Sequence, residues 1–327
     1  MAEQYRPSLD DPNVWVPYRY HPSRTAAIVC VGAFGISTLL HIFQVFRRRT
    51  WYFIPLVVGG IFEVVGYVGR ILSDNDLWAL GPYIMQSLLL LIAPALFAAS
   101  IYIILGRIIL LTDGEKHSLI RQKRLTKIFV TGDVISFLTQ CCGGGIQAAG
   151  SLSLLHTGEK VIIVGLFLQL LFFGIFILVA GIFHYRLEKA NSSRTSGVSR
   201  SSSNRHSELL HEESNFTIQD LPWKRHIYTL YLASALIMIR SIFRVVEYLQ
   251  GNDGYLLRHE IFLYIFDGLL MFIVMVLFNW MHPSEITEIY QKRISRQPLY
   301  NLEETRDIYL GRSEEYRQKE RVKRCRK

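Results

Sequence analysis

Seven apolar stretches dominate the chain, at roughly 25–46, 53–72, 80–105, 128–149, 161–183, 227–250 and 260–282. Each has about the 20 residues that an α-helix needs to cross some 30 Å of hydrocarbon. Inside hydrocarbon no water satisfies the peptide groups, so a spanning segment must close its own hydrogen bonds as a helix. The expectation is an all-α polytopic membrane protein, a seven-transmembrane-helix bundle. The first stretch follows a polar leader of 24 residues and is too long for a secretory signal, so it reads as a retained helix. Gly59-Gly60, Pro94 and Gly143-Gly144-Gly145 fall inside these stretches. They would break a soluble helix, but a membrane helix tolerates them, and small residues let helices approach closely.

Composition matters next, because the chain is apolar and basic at once. Half of its residues are hydrophobic and 19% are charged, yet the net charge is +9. The basic residues are segregated. Counted over alternate connecting segments, 27 Lys and Arg lie on one side of the bundle and 5 on the other. The positive-inside rule then puts the N-terminus outside and the C-terminus in the cytoplasm. The charge reports topology, which excludes a soluble enzyme and a nucleic-acid partner. The chain divides into an extracellular segment 1–24, a membrane domain 25–285 with a cytoplasmic linker 184–226, and a basic cytoplasmic tail 286–327.

Residues 191–215 are rich in Ser and read as a solvated connector, with Arg200-Ser201-Ser202-Ser203 as a candidate phosphorylation stretch. Two glycosylation sequons, at Asn191 and Asn215, face the cytosol in this topology and stay unmodified. The cluster from Arg317 to Lys327 suits an anionic membrane surface or simply marks topology. Cys30, Cys141 and Cys142 lie in helices and Cys325 in the tail, so no pair is placed as an extracellular staple.

Ionisable residues inside the stretches carry the functional signal. A charge at mid-bilayer costs about 2.5–3.5 kcal/mol even on insertion scales. Glu63, Arg70, Arg107, Asp133, Arg240, Arg244, Glu247, Glu260 and Asp267 all lie in the stretches or at their edges. They must pair or line a hydrated cavity. Glu63 and Arg70 share a helix face, as do Glu260 and Asp267, and so do Arg240, Arg244 and Glu247. Asp133, Ser136, Gln140, Gly144 and Gln147 form one polar stripe, and Gln86 and Gln169 add buried amides. Equal heights in the bilayer predict the pairs Glu63–Arg240, Arg70–Glu247 and Arg244–Asp267. Together these groups are candidates for a substrate-binding and transport cavity, in which Glu63 or Asp133 could couple a proton. Fixing helix register is the simpler alternative.

Several chemistries lack their residues. A retinal Schiff base needs a lysine inside the bilayer, and all ten lysines lie in connecting segments or tails. A metal hydrolase needs converging histidines, and only His41 is well inside a stretch. No phosphate-cradling Gly-x4-Gly-Lys-Ser/Thr stretch occurs, so an ATP-driven pump is excluded. No cofactor and no enzymatic activity are expected.

The same residues carry a resemblance. They are Glu63-x2-Gly66-Tyr67-x2-Arg70, Gln86, Ala93-Pro94, Ala98-Ala99-Ser100-Ile101-Tyr102 and Leu105-Gly106-Arg107. They continue as Phe129-x3-Asp133-x2-Ser136-x3-Gln140-x2-Gly143-Gly144-Gly145, Gln169 and Arg240-x2-Phe243-Arg244-x2-Glu247. Gly251-x2-Gly254 and Glu260-x3-Tyr264-x2-Asp267 complete the set. In these segments the chain resembles the fungal lipid-translocating exporters, the resistance-to-aminocholesterol or RTA-like family, which includes sphingoid long-chain-base resistance proteins. The resemblance implies a multi-pass protein, of the plasma membrane, that moves amphipathic lipids or sterol-like toxins outward. One branch of the family is associated instead with porphyrin and haem. The expected partners are membrane lipids and an amphipathic small molecule. The cavity charges from Glu63 onward sum to about −1, which suits a zwitterionic or amine-bearing head. A seven-helix lipid or stress sensor, signalling through the Ser-rich segment and tail, is the alternative.

Overall fold

The computed structural model describes residues 16, 18–112, 118, 122–148, 152–198, 223–251, 254–286 and 288–289. The described residues are helical, with no β-strand among them. The long helices are α1 (Arg24–Arg48), α2 (Ile54–Asn75), α3 (Leu80–Leu111), α4 (Gln122–Ala148), α5 (Leu152–Val198) and α6 (Trp223–Leu249). The next helix, α7, starts as Glu260–Leu263, passes through a π-turn at Tyr264–Leu269 and continues as Leu270–Trp280. Successive helices pack side by side, α7 returns to α1, and α3 reaches across the ring to α6.

Local chemistry explains the boundaries. Ser23 caps α1, its hydroxyl accepting from the Ala26 amide at 3.4 Å. Arg49, in the left-handed region at φ 51°, closes the same helix. Pro55 occupies the first turn of α2, where its missing N–H costs nothing.

The bundle is inverted relative to a soluble protein. Glu63, Arg70, Arg240, Glu247 and Asp267 are no more than 2% exposed. Val29, Ile36, Leu39, Phe43 and Phe46 on α1 and Val164, Leu171 and Leu178 on α5 face outward. Buried charge inside an apolar coat is the arrangement a lipid solvent selects. Among the described residues six helices are long and apolar enough to cross a membrane: Arg24–Arg48, Trp51–Asn75, Leu80–Leu111, His156–Ala190, Trp223–Leu249 and Glu260–Ile286. The chain is an integral, multi-pass membrane protein. The expected seventh span, α4, has the length but not the apolarity, because Asp133, Gln140 and Gln147 lie along it.

The helix α5 departs from the expected stretch 161–183 at both ends. Residues 152–160, expected in a connecting segment, form its first turns. Gly158 permits this: a Cβ there would lie 2.7 Å from the Gly143 carbonyl oxygen, so α4 and α5 touch backbone to backbone. The far end runs to Val198, into the Ser-rich segment. The rest of that segment, the Asn215 sequon, Cys325 and the basic cluster Arg317–Lys327 lie outside the described residues.

Candidate functional site

The charged residues meet between α2, α6 and α7. Arg244 donates to Glu247 at 2.8 Å and to Asp267 at 2.7 Å. Asp267 also forms an ion pair with Arg240. Arg70 binds Glu260 through Nε at 3.2 Å and Nη2 at 2.8 Å. Of the expected pairs the structure therefore makes Arg244–Asp267. It corrects the other two: Arg240 takes Asp267 rather than Glu63, and Arg70 takes Glu260 rather than Glu247. The reason lies in α7. Its π-turn contains Asp267 and brings that carboxylate to both α6 arginines. Glu63 makes no ion pair among the described residues and stays buried within electrostatic reach of Asp267, Arg240 and Arg244.

Two backbone features hold this cluster together. Pro94 has no N–H, so the Leu90 carbonyl one turn earlier loses its helical partner. Arg240 Nη2 donates to that carbonyl at 2.6 Å. On α7, a Cβ at position 268 would lie 2.5 Å from the Tyr67 hydroxyl, so Gly268 lets α2 come close beside Asp267. Arg107, at the other end of α3, stacks on the Tyr52 ring with its guanidinium carbon 3.5 Å from the ring centre.

The polar stripe of α4 divides. Asp133 accepts from the Tyr102 hydroxyl at 2.9 Å, and Tyr102 packs among Phe129, Phe173 and Phe176. Gln140 donates to Gln169 on α5 at 3.1 Å. Gly144 and Gln147 instead border open space beside α3. His41 Nε2 lies 3.0 Å from the Met275 carbonyl oxygen, and its Nδ1 is buried without a hydrogen-bond partner among the described residues.

Two cavities adjoin at the end of the bundle where α1, α3, α5 and α7 begin. The first, about 70 Å³, is lined by Arg70, Gln86, Gln147, Glu159, Arg244 and Glu247 among others. The second, about 190 Å³, runs between α3 and α4 past Leu80, Ile84, Leu88, Gly144, Gly145 and Ile162. Tyr83, Ser87, Leu91, Gln147 and Tyr248 belong to both, so a polar chamber opens into an apolar crevice. Among the expected site residues, Arg70, Gln86, Gln140, Gln147, Arg244 and Glu247 reach these cavities. Glu63, Asp133, Gln169, Arg240, Glu260 and Asp267 are not on their walls.

The chain just before α1 also enters the site, which the sequence reading missed. Tyr18 donates to Gln86 at 2.7 Å and lies 3.0 Å from the Ser73 hydroxyl. Arg70 Nη2 donates to the Tyr20 hydroxyl at 2.5 Å, and its Nε to that of Tyr264 at 3.1 Å. The guanidinium carbon of Arg70 sits 5.9, 5.5 and 5.3 Å from the rings of Tyr18, Tyr20 and Tyr264. Glu260 accepts from the Ser23 amide at 2.8 and 3.0 Å, joining α7 to the start of α1. Burial pushes the Tyr18 and Tyr20 phenols above their usual range, so both stay protonated. A cluster of aromatics in an otherwise polar leader, Trp15 to Tyr20, was the available signal. Glu159 was missed because residues 150–160 read as a connection.

Comparison with known proteins gives a family and several relatives. The family described as RTA1 like protein matches residues 56–289. Protein RTM1 of Saccharomyces cerevisiae is 32% identical over 311 residues, covering 81% of this chain and 90% of the relative. Protoporphyrin uptake protein 1 of the same yeast is 36% identical over 302 residues, with 81% and 91% covered. The Sphingoid long-chain base transporter RSB1, also of that yeast, is 29% identical over 276 residues, with 80% and 72% covered. No solved structure matches the chain.

Proposed function

The chain belongs to the RTA1-like family, and from that premise we propose that it translocates single-chain amphipathic lipids with an amine-bearing head, sphingoid bases foremost. The observation that carries this reading is the pair of joined cavities. The polar chamber fits a head, and the apolar crevice between α3 and α4 fits the start of a tail that continues into the bilayer. The chamber is lined by Glu159 and Glu247, by Arg19, Arg70 and Arg244, and by Tyr83 and Tyr248. A head with both an ammonium group and an acceptor oxygen thus finds carboxylate and aromatic partners for the one and guanidinium donors for the other. The name of the RSB1 relative supports the same substrate class. The porphyrin reading is less favoured, since cavities of about 70 and 190 Å³ are narrow for a rigid macrocycle.

In this proposal all seven helices cross the membrane. The N-terminus lies outside and the C-terminus in the cytoplasm, a reading that the 27-to-5 division of basic residues supports. The chambers then open toward the outer leaflet of the plasma membrane, and transport runs outward. Gly59, Gly66 and Gly69 let α2 lie close against α3, forming a firm wall against which α4 can shift. No reaction is catalysed, and no cofactor takes part.

Purified protein in liposomes tests the proposal. Fluorescent sphinganine and fluorescent phosphatidylcholine should be followed across the bilayer, with Glu247→Gln and Gln147→Leu as variants. Sphinganine translocation, slowed at least severalfold by either substitution, is expected. Protein that moves neither probe faster than empty liposomes would sink the reading.

A further inference from the structure

Tyr18 and Tyr20, in the chain ahead of α1, help line the polar chamber. Arg70 lines it, is 1% exposed, and keeps one donor, Nη1, buried without a hydrogen-bond partner among the described residues. A buried guanidinium donor left open is costly, and such a gap marks a place where another group belongs. The other bonds of Arg70 differ in permanence. Glu260 is carried by α7 and Tyr264 by the turn that follows. Tyr20 belongs to irregular chain ahead of α1, as does Tyr18, and side-chain bonds to Arg70, Gln86 and Ser73 hold the two.

We propose that residues 18–23 form a latch, in which the Tyr20 hydroxyl occupies the place on Arg70 that the oxygen of a lipid head takes during transport. The inference rests on the amphiphile reading and deepens it. The head that displaces Tyr20 offers an acceptor oxygen, from a hydroxyl or a phosphoryl group, and Arg70 then binds it with Nη1 and Nη2 together. Glu260 compensates the charge of Arg70, so the exchange needs no net anion. Glu260 also holds the Ser23 amide, which gives the moving segment a fixed end at the cap of α1. Arg70 thereby serves twice, as lock for the empty chamber and as anchor for the filled one.

Hydrogen exchange of the full-length protein in lipid nanodiscs tests the latch. The Tyr20→Phe variant keeps the ring over Arg70 and removes the bond. It should speed exchange at the amides of residues 18–21 by about tenfold, leaving α2 and α6 unchanged. Should that variant fail to fold, Tyr18→Phe, which cuts the bond to Gln86, gives the same readout. On the wild type, added sphinganine or lysophosphatidylcholine should accelerate the same amides, and Arg70→Gln should abolish the response. Acceleration by sphinganine assigns the oxygen to a hydroxyl, and acceleration by lysophosphatidylcholine to a phosphate. Unchanged exchange in both tyrosine variants, or no response to either lipid, overturns the latch. Liposome transport with an unresponsive latch leaves the transporter reading standing, and a responsive latch without transport removes the transporter reading alone.

Discussion

Between α2, α6 and α7, the side chains of Arg70, Arg240 and Arg244 are bound to Glu260, Asp267 and Glu247. Between α3, α4 and α5, Tyr102 binds Asp133 and Gln140 binds Gln169, with no cation in either bond. Both regions are buried and both bridge helices, but they answer to different physics. An arginine cannot shed its charge, so each one commits a carboxylate on another segment or turn and tolerates little displacement. Amide and phenol bonds cost less to break in a membrane, where displaced partners find others. The charged side therefore suits a fixed frame and the neutral side a helix pair that moves. The apolar crevice lies against the neutral side, bordered by Gln140, Gly144 and Gln147 of α4.

The largest effect belongs to the frame. Arg240→Ala removes one of the two arginine partners of Asp267 and leaves the Leu90 carbonyl open, a loss of about 3–5 kcal/mol by analogy with other buried pairs. Thermal unfolding in detergent should show most of the folded population lost at growth temperature. A cost below about 1 kcal/mol would erase the distinction between the two regions. Reversing Arg244 and Asp267 together probes the same point. Asp267 serves two arginines, so the double exchange sets a new guanidinium against Arg240. It should not restore stability, whereas an isolated pair would tolerate the exchange.

This outcome also marks what the sequence could tell. Helical periodicity placed Arg240, Arg244 and Glu247 on one face, and equal depth found Arg244–Asp267. Partner choice for Arg70 and Arg240 was not legible, because it depends on the π-turn of α7 and on irregular chain before α1, neither of which has a hydrophobic period. Pro94 was a readable clue: a proline in a helix frees the carbonyl of residue 90, and a buried carbonyl needs a donor. The α5 start was misread for a related reason. His156, Gly158, Glu159 and Lys160 look like a loop until Gly158 is seen against the Gly143 backbone.

A second tier of effects separates frame from mover by shape. Gly158→Ala would place a methyl group 2.7 Å from the Gly143 carbonyl oxygen and 2.8 Å from the Gln147 amide nitrogen. Overpacking of this kind costs about 1–3 kcal/mol. Gly144→Ala meets nothing within 4 Å and should leave unfolding unchanged while slowing lipid transport, since residue 144 borders the crevice. Equal unfolding temperatures for the two variants would mean that α4 and α5 already rest apart. Tyr102→Phe removes the hydroxyl on Asp133 and should cost about 1–3 kcal/mol, read in the same unfolding measurement.

The smallest effect is the most discriminating. Gln140 and Gln169 join α4 to α5 through one amide bond of 3.1 Å, with the Gln140 oxygen left without a partner. Double-mutant cycles on such interhelical bonds in membranes average about 0.6 kcal/mol. A cycle with Gln140→Leu and Gln169→Leu should therefore return a coupling near that value, several times smaller than one built on Arg240 and Asp267. Leucine at both positions would remove an interhelical bond without leaving a buried polar group, so the double variant should be close to the wild type in stability. If it transports more slowly at unchanged stability, the amide pair belongs to the moving wall. A coupling as large as that of the ion pairs would instead place α4 in the frame, and the crevice would then have to open on its other side, through α3.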